Sequence, residues 1–278
     1  MILENKSTII LLRHLCLNPF DSFSILELSK KLNISRNWLY KNIYYLNQYN
    51  ILEEKNKRFK LNFRTLFIKK LKIAFDNEFI AELEKTHYNQ ILEIFNGLSY
   101  KMDYKSIILI GSFAVKEFTE KSDIDFLVVA KNKEEPPLFS NCNIIQLTIN
   151  EFNEKYSKGD DFIIDTLIHG KIMDDKNFFV NYFQKDLPLF SQEIIEERKE
   201  VIIKLKNRVY ELLKQQELKM ASEELKKLFI QKERLETIQK NKIPLTKQQM
   251  LKENKKLYKI INKKNFNKEE ILNFLKEI

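Results

Sequence analysis

Glycine and proline are scarce, four and five residues in 278. That scarcity excludes a loop-rich chain and favours long helices joined by short connections. Only two cysteines occur, Cys16 and Cys142, both in apolar surroundings and without metal-like spacing. A disulfide framework and a cysteine-built metal centre are thereby excluded, and two buried free thiols in a reduced, cytoplasmic protein are expected. No apolar run approaches the roughly 20 residues that span a bilayer. The N-terminal candidate, Ile9–Leu12, is cut short by Arg13 and His14, so no membrane is expected among the partners. What remains is 44% hydrophobic and 31% charged, the composition of a soluble globular chain with two or three domains.

The net charge of +9 is unevenly placed. Residues 1–70 hold 13 Lys/Arg against 5 Asp/Glu, residues 71–190 hold 13 against 20, and residues 191–278 hold 22 against 14. An acidic middle suits a metal site, and basic ends suit a polyanion, most simply nucleic acid. For the C-terminal third, solvated helix faces explain the charge equally well.

The acidic middle centres on Ser106–Ala130, SIILIGSFAVKEFTEKSDIDFLVVA. An apolar run, Ile107–Ile110, ends in Gly111-Ser112; a short polar piece of helical character follows; a second apolar run carries Asp123 and Asp125 and continues through Phe126–Val129. Strand, turn, helix, strand is the simplest reading. Residues two apart on a strand share a face, so both carboxylates should point the same way, about 6–7 Å apart, with Ile124 packing on the other face. Two adjacent like charges are costly without a cation between them. A hard divalent ion, Mg2+ or Mn2+, is the natural occupant. Gly111 permits close approach of a ligand to the backbone, and Ser112 with the N–H groups of the following helix can hold phosphate oxygens. Such equipment serves phosphoryl or nucleotidyl transfer.

Gly111, Ser112, Ala114, Glu117, Thr119, Ser122, Asp123, Ile124 and Asp125 together resemble the signature of the DNA-polymerase-β-type nucleotidyltransferases. The resemblance is strongest to the small prokaryotic members whose pattern reads G-S-x-A-R-G-E-x-T-x-x-S-D-I-D. It covers about residues 106–174 and departs at Val115 and Lys116, where that pattern has Arg and Gly. It implies that Asp123 and Asp125 hold the metal and act in catalysis, and that Gly111 and Ser112 serve the nucleotide, ATP above all. Ser122 is counted with them while its hydroxyl braces the start of the second strand, and Lys116, flanking the turn, is placed to reach the triphosphate, although a solvated helix face explains it as well. It also implies a third carboxylate on the third strand, Ile144–Ile149, to take the proton from the attacking hydroxyl. Gln146 is expected to occupy that position; it can ligate weakly but cannot accept the proton. Glu151, Asp161 or Asp165 are the alternatives. His169 reads as structural.

Ahead of this unit, Ser7–Leu17, Ser24–Leu32 and a helix capped by Ser35 and running to Asn47 precede two short strands, Ile51–Glu54 and Arg58–Phe63. The stretch LSKKLNISRNWLYKNIYYLNQYNILE resembles a winged helix-turn-helix. That resemblance implies DNA contact from Arg36, Asn37, Tyr40 and Lys41 on the third helix and from Lys55, Lys57 and Arg58 in the wing. Protein docking or dimerisation is the competing use of such a module, and a homodimer is compatible with paired half-sites. Trp38 and His14 read as packing residues.

Residues 191–278 carry four helical patterns, Glu193–Lys214, Ser222–Gln239, Gln248–Ile261 and Lys268–Leu275. An antiparallel bundle follows from them. It resembles the helical domains that accompany minimal nucleotidyltransferases, without the Arg-x4-His of nuclease members, since no His follows His169. The expected architecture is therefore α+β and multidomain: a winged helix at 1–64, a small mixed-sheet nucleotidyltransferase domain at 65–190, and a helical bundle at 191–278. Two functions stay open. One is transfer of a nucleoside monophosphate, AMP from Mg-ATP, to a hydroxyl of a protein, RNA or small molecule. The other is a DNA-binding regulator or antitoxin-like protein whose transferase unit only senses a nucleotide. A plain scaffold with solvated Asp123 and Asp125 is the bland third.

Overall fold

A computed structural model of the chain describes residues 5–243 and 245–276. They form two compact units: residues up to 153 with 166–187, and residues 154–165 with those from 188 on. Among the described residues no helix is long and apolar enough to cross a membrane.

The first unit opens with three helices whose ends the sequence marks. The side chain of Asn5 accepts from the backbone of Ser7 and Thr8 and so caps α1 (Lys6–Leu17). Ser24 and Glu27 form a capping box at the start of α2 (Ile25–Leu32), which stops at Asn33 in the left-handed region, φ 53°. Ser35 caps α3 (Arg36–Gln48), whose Leu39, Ile43 and Leu46 face inward at helical spacing. Strands β1 (Leu52–Lys55) and β2 (Arg58–Leu61) then pair antiparallel. Their two-residue link, Asn56-Lys57, has φ of 53° and 59°, the positive values that a tight hairpin needs. Phe23 bridges to Phe59 on the outer edge of β2.

Helix α4 (Leu66–Ala81) ends at Glu82, and α5 (Lys85–Lys101) begins after buried Leu83 turns inward. The central sheet has the order β5-β4-β3-β6. Strand β3 (Tyr104–Ile110) lies antiparallel to both β4 (Ile124–Ala130) and β6 (Lys171–Asp175), while β4 and β5 (Cys142–Thr148) run parallel. The inner strands are buried on both faces, from Ile107 to Leu109 and from Phe126 to Ala130. That is why they read as continuous apolar runs rather than alternating ones. On one face, Ile107, Leu109, Ile124, Phe126 and Val128 pack with Ile91, Ile94 and Leu98 of α5 and with Phe113 of α6 (Gly111–Ala114), a single turn. Helices α7 (Ile149–Lys158) and α8 (Asp161–His169) link β5 to β6, and the division between the two units falls within them.

Helix α4 is tied to the sheet edge by a buried polar knot. Lys72 Nζ donates to both Asp76 carboxylate oxygens at 2.6 Å, and the same carboxylate accepts from the Ile172 N–H at 3.0 Å. Asn77 adds bonds to the carbonyls of Ile172 and Met173. A 3-10 turn at Phe179–Gln184 follows β6, its first N–H groups capped by the Asp175 carboxylate.

The second unit is helical. Two long helices, α9 (Gln192–Lys214) and α10 (Leu218–Gln239), are joined by three residues and pack along each other. The expected helix at 248–261 is two: α11 (Lys247–Glu253) and α12 (Lys255–Asn262), separated at Asn254, whose side chain caps α12. With α13 (Lys268–Lys276) they close a core of Leu212, Leu225, Leu228, Met250, Leu257, Ile260 and Ile271. Asp161 pairs with Arg198 of α9 within this unit.

The Lys72–Asp76 pair generates a stability prediction. Replacing Asp76 with Ala leaves the 2% exposed Lys72 ammonium without its counter-charge, so denaturant unfolding should show a loss of about 3–5 kcal/mol. A loss below about 1 kcal/mol would remove this pair as the fastening of α4.

Candidate active site

Strand β3 delivers the chain to its functional corner. In the antiparallel register Ile110 stands opposite Asp125, so the residue after Ile110 meets the Asp125 carboxylate. That residue is Gly111, in the left-handed region at φ +69°. A Cβ built there would lie 2.4 Å from Asp125 Oδ2, closer than any real contact. Position 111 therefore favours glycine by conformation, and any side chain there would displace the Asp125 carboxylate from its present place.

The two predicted acids differ in setting. Asp125 is the second residue of β4 and half-buried; Asp123 precedes the strand, which starts at Ile124, and is exposed. The alternation rule thus applies to Asp125, while Asp123 sits at the mouth of the strand. Their charges nevertheless act on the same space. Burial first pushes the Asp125 carboxyl above its ordinary range, the hydrogen bond from Asn143 opposes this, and the Asp123 charge adds to it. The Cys142 thiol is pushed up to about 11 by burial and then by Asp125 and Asp123 in turn.

The third-strand expectation requires a correction. Gln146 pairs with Val128, not with the acidic residues. Its side chain points away to the loop after β4, accepting from the Glu134 N–H at 3.2 Å and donating to the Asn132 carbonyl at 3.3 Å. The residue beside Asp125 is Asn143, whose amide donates to Asp125 Oδ1 at 3.3 Å. Because Asn143 pairs with Asp125 and side chains alternate, the odd-numbered residues of β5 share the face of Asp125. Sequence reasoning missed Asn143, and only the start and register of β5 reveal it. Of the proposed substitutes, Glu151 lies beyond the far end of parallel β5, where it accepts from Thr148 and pairs with Lys133, and Asp161 is paired with Arg198. Among the described residues no group of three or more His, Cys, Asp or Glu could hold a metal ion.

Other predicted residues take these places. Ser112 lies half-buried in α6, its carbonyl accepting from the Glu117 N–H. The Ser122 hydroxyl accepts from the Thr119 N–H at 2.8 Å and so braces the turn leading to Asp123. Lys116, at φ 57°, reaches back over the Phe79 ring to Glu82 at 3.0 Å, and Glu82 also holds Arg13 of α1. Arg13 and Lys116 hold the Glu82 carboxyl below its ordinary range. In the N-terminal module Arg36, Asn37, Tyr40 and Lys41 are exposed along α3, and Lys55 and Lys57 stand exposed at the hairpin tip. Arg58 does not stand free: it donates to Ser22 and pairs with Glu27 at 3.1 Å, bracing the hairpin against the start of α2.

Two carboxylates and an amide on neighbouring positions form an oxygen-rich donor set. Mg2+ is commonly held by one or two protein carboxylates, with phosphate oxygens and water completing its shell, so these residues fit a nucleotide-borne divalent ion. A family model described as "Nucleotidyltransferase domain" matches residues 88–261. No curated protein gives a significant match to the chain.

The setting of Asp125 predicts a pH effect with a definite sign. A carboxyl whose native pKa is raised binds its proton more tightly folded than unfolded. Stability therefore falls as pH rises from the ordinary 3.8 to the raised native value. Asp125→Asn should remove that fall and leave the metal-free protein more resistant to urea at pH 7 than the parent. Lower resistance of Asp125→Asn at pH 7 would contradict the assignment.

Proposed function

Since the chain belongs to the nucleotidyltransferase domain family, we propose that it moves a nucleoside monophosphate, AMP from ATP, onto a hydroxyl of a protein, an RNA or a small molecule. The observation that carries this reading is the approach of Gly111 to the Asp125 carboxylate, which places a bare stretch of backbone beside two acids. Asp123 and Asp125 hold Mg2+ or Mn2+ accompanying the nucleotide. Once bound, that ion offsets the charge that develops on the phosphates. Gly111 offers no side chain, so phosphate oxygens come within reach of the backbone and of Ser112. Ser122 fixes the turn that presents Asp123. Lys116, with Glu82 as its resting partner, serves the phosphates.

Asn143 supports a second reading. It stands where a proton-accepting carboxylate would face the acceptor, and an amide takes no proton at neutral pH. A site with two carboxylates can hold a nucleotide and react slowly, or hold it as a signal. In the second case the protein is a regulator that senses nucleotide and grips DNA through its N-terminal module. We read the three helices and the hairpin as a winged helix, with Arg36, Asn37, Tyr40 and Lys41 facing the nucleic acid and Lys55 and Lys57 touching its backbone. The module's basic excess favours that partner.

Incubation with labelled nucleoside triphosphates, Mg2+ and cell lysate separates the readings. A transferase labels an acceptor, loses the label in Asp123→Ala and Asp125→Ala, and gains about 100-fold in rate in Asn143→Asp, the scale of a restored general base. Bound nucleotide without any labelling, in the parent and in Asn143→Asp alike, assigns the sensor.

A further inference from the structure

A concave groove of about 590 Å³ lies between α3, the start of α2 and the β1–β2 hairpin. Its floor is apolar: Ile25, Ile43 and Phe59. Its rim carries Tyr40 and Tyr44, which are 61% and 68% exposed. At i, i+4 spacing the two rings stand on one face of α3, one turn apart. Exposed aromatics of that size over an apolar floor are not accounted for by the module's own packing, whose core is Leu28, Leu39, Leu46 and Phe63.

We propose that this groove takes the unpaired bases of a single-stranded nucleic acid. Three observations choose that occupant over a double helix or a peptide. First, a rigid duplex is convex and is read by forked donors on base edges, whereas Tyr40 and Tyr44 offer flat faces beside a hollow. Aromatic platforms of this kind hold unstacked bases without regard to sequence. Second, Lys57 lines the groove, and the same two elements carry the exposed Arg36 and Lys41 (α3) and Lys55 (hairpin), cations that can follow a phosphate backbone. Glu54 is the single acid in the lining, and as an acceptor it suits the amino group of a base. Third, the remaining hairpin cations are already engaged, Arg58 with Glu27 and Lys60 with Glu53. The wing therefore keeps only its tip for phosphates, a small footprint for a duplex and a sufficient one for a single strand. This inference rests on the reading of the N-terminal module as a nucleic-acid binder and is independent of the transfer chemistry.

Fluorescence anisotropy of the full chain tests it with one sequence as single-stranded RNA, single-stranded DNA and duplex DNA. Both single strands should bind at least tenfold more tightly than the duplex; the better of the two identifies the natural source. Tyr40→Ala and Tyr44→Ala should each weaken single-strand binding about tenfold, while Tyr40→Phe and Tyr44→Phe retain it, since the ring face does the work. Lys57→Ala should flatten the salt dependence by about one phosphate contact. Both tyrosines are exposed, so circular dichroism should show the Ala variants folded. Preferred duplex binding that the tyrosine variants leave unchanged would overturn the groove assignment and spare the module's. Failure of all three oligonucleotides to bind would overturn both, leaving a protein partner as the occupant of this face.

Discussion

The close approach of Gly111 to Asp125 governs the first unit. It marks where β3 ends, because a residue with positive φ and no Cβ lets the chain turn there without displacing the carboxylate. It also fixes the β3–β4 register, since a slip of one residue would move Asp125 to the other face and put Ile124 against the turn. The cost is a partly desolvated acid beside a second acid, held in place by the all-apolar strands behind it. That local electrostatic tension makes the corner a weak point of the unliganded fold, and the proposed cation is what would relieve it.

The second structural theme is how basic and aromatic groups divide between internal and external use. Lys72 is consumed in a buried pair, Arg58 in bracing the hairpin, Arg13 and Lys116 on Glu82. Net charge alone therefore overstates the surface that faces a polyanion. The cations left exposed are those of α3 and the hairpin tip, the two elements that border the groove, and the proposed single-stranded occupant rests on that pairing of charge and hollow. Glu82 links two of these uses, touching both α1 and the turn that follows the glycine.

Much of this was legible in the sequence, for physical reasons. Gly111-Ser112 and the flanking apolar runs located the corner because doubly buried strands cannot alternate. The cap at Ser35 announced the start of α3. What the residues could not show was strand order and register. Which residue of β5 stands beside Asp125 depends on its register against β4, and a shift of one position exchanges Asn143 for a neighbour that points into the opposite face. Hence Gln146 was the natural guess and Asn143 the residue actually beside Asp125. The start of β4 was misplaced in the same way, by one residue, which leaves Asp123 outside the ladder. The break between α4 and α5 was hidden because Glu82 and Glu84 suit a helix interior as well as a turn. The engagement of Arg58 and Lys116 depends on partners 31 and 34 residues away, beyond the reach of local patterns.

The central claim is that Asp123 and Asp125 together bind a nucleotide-borne divalent ion. Electron paramagnetic resonance of Mn2+ titrated with ATP and the full chain tests it most directly. The account predicts one protein-bound Mn2+ per chain whose retention requires the nucleotide and is lost in both Asp123→Asn and Asp125→Asn. Equal retention of Mn2+ by the parent and both variants, or no retention by the parent at any nucleotide concentration, would contradict it.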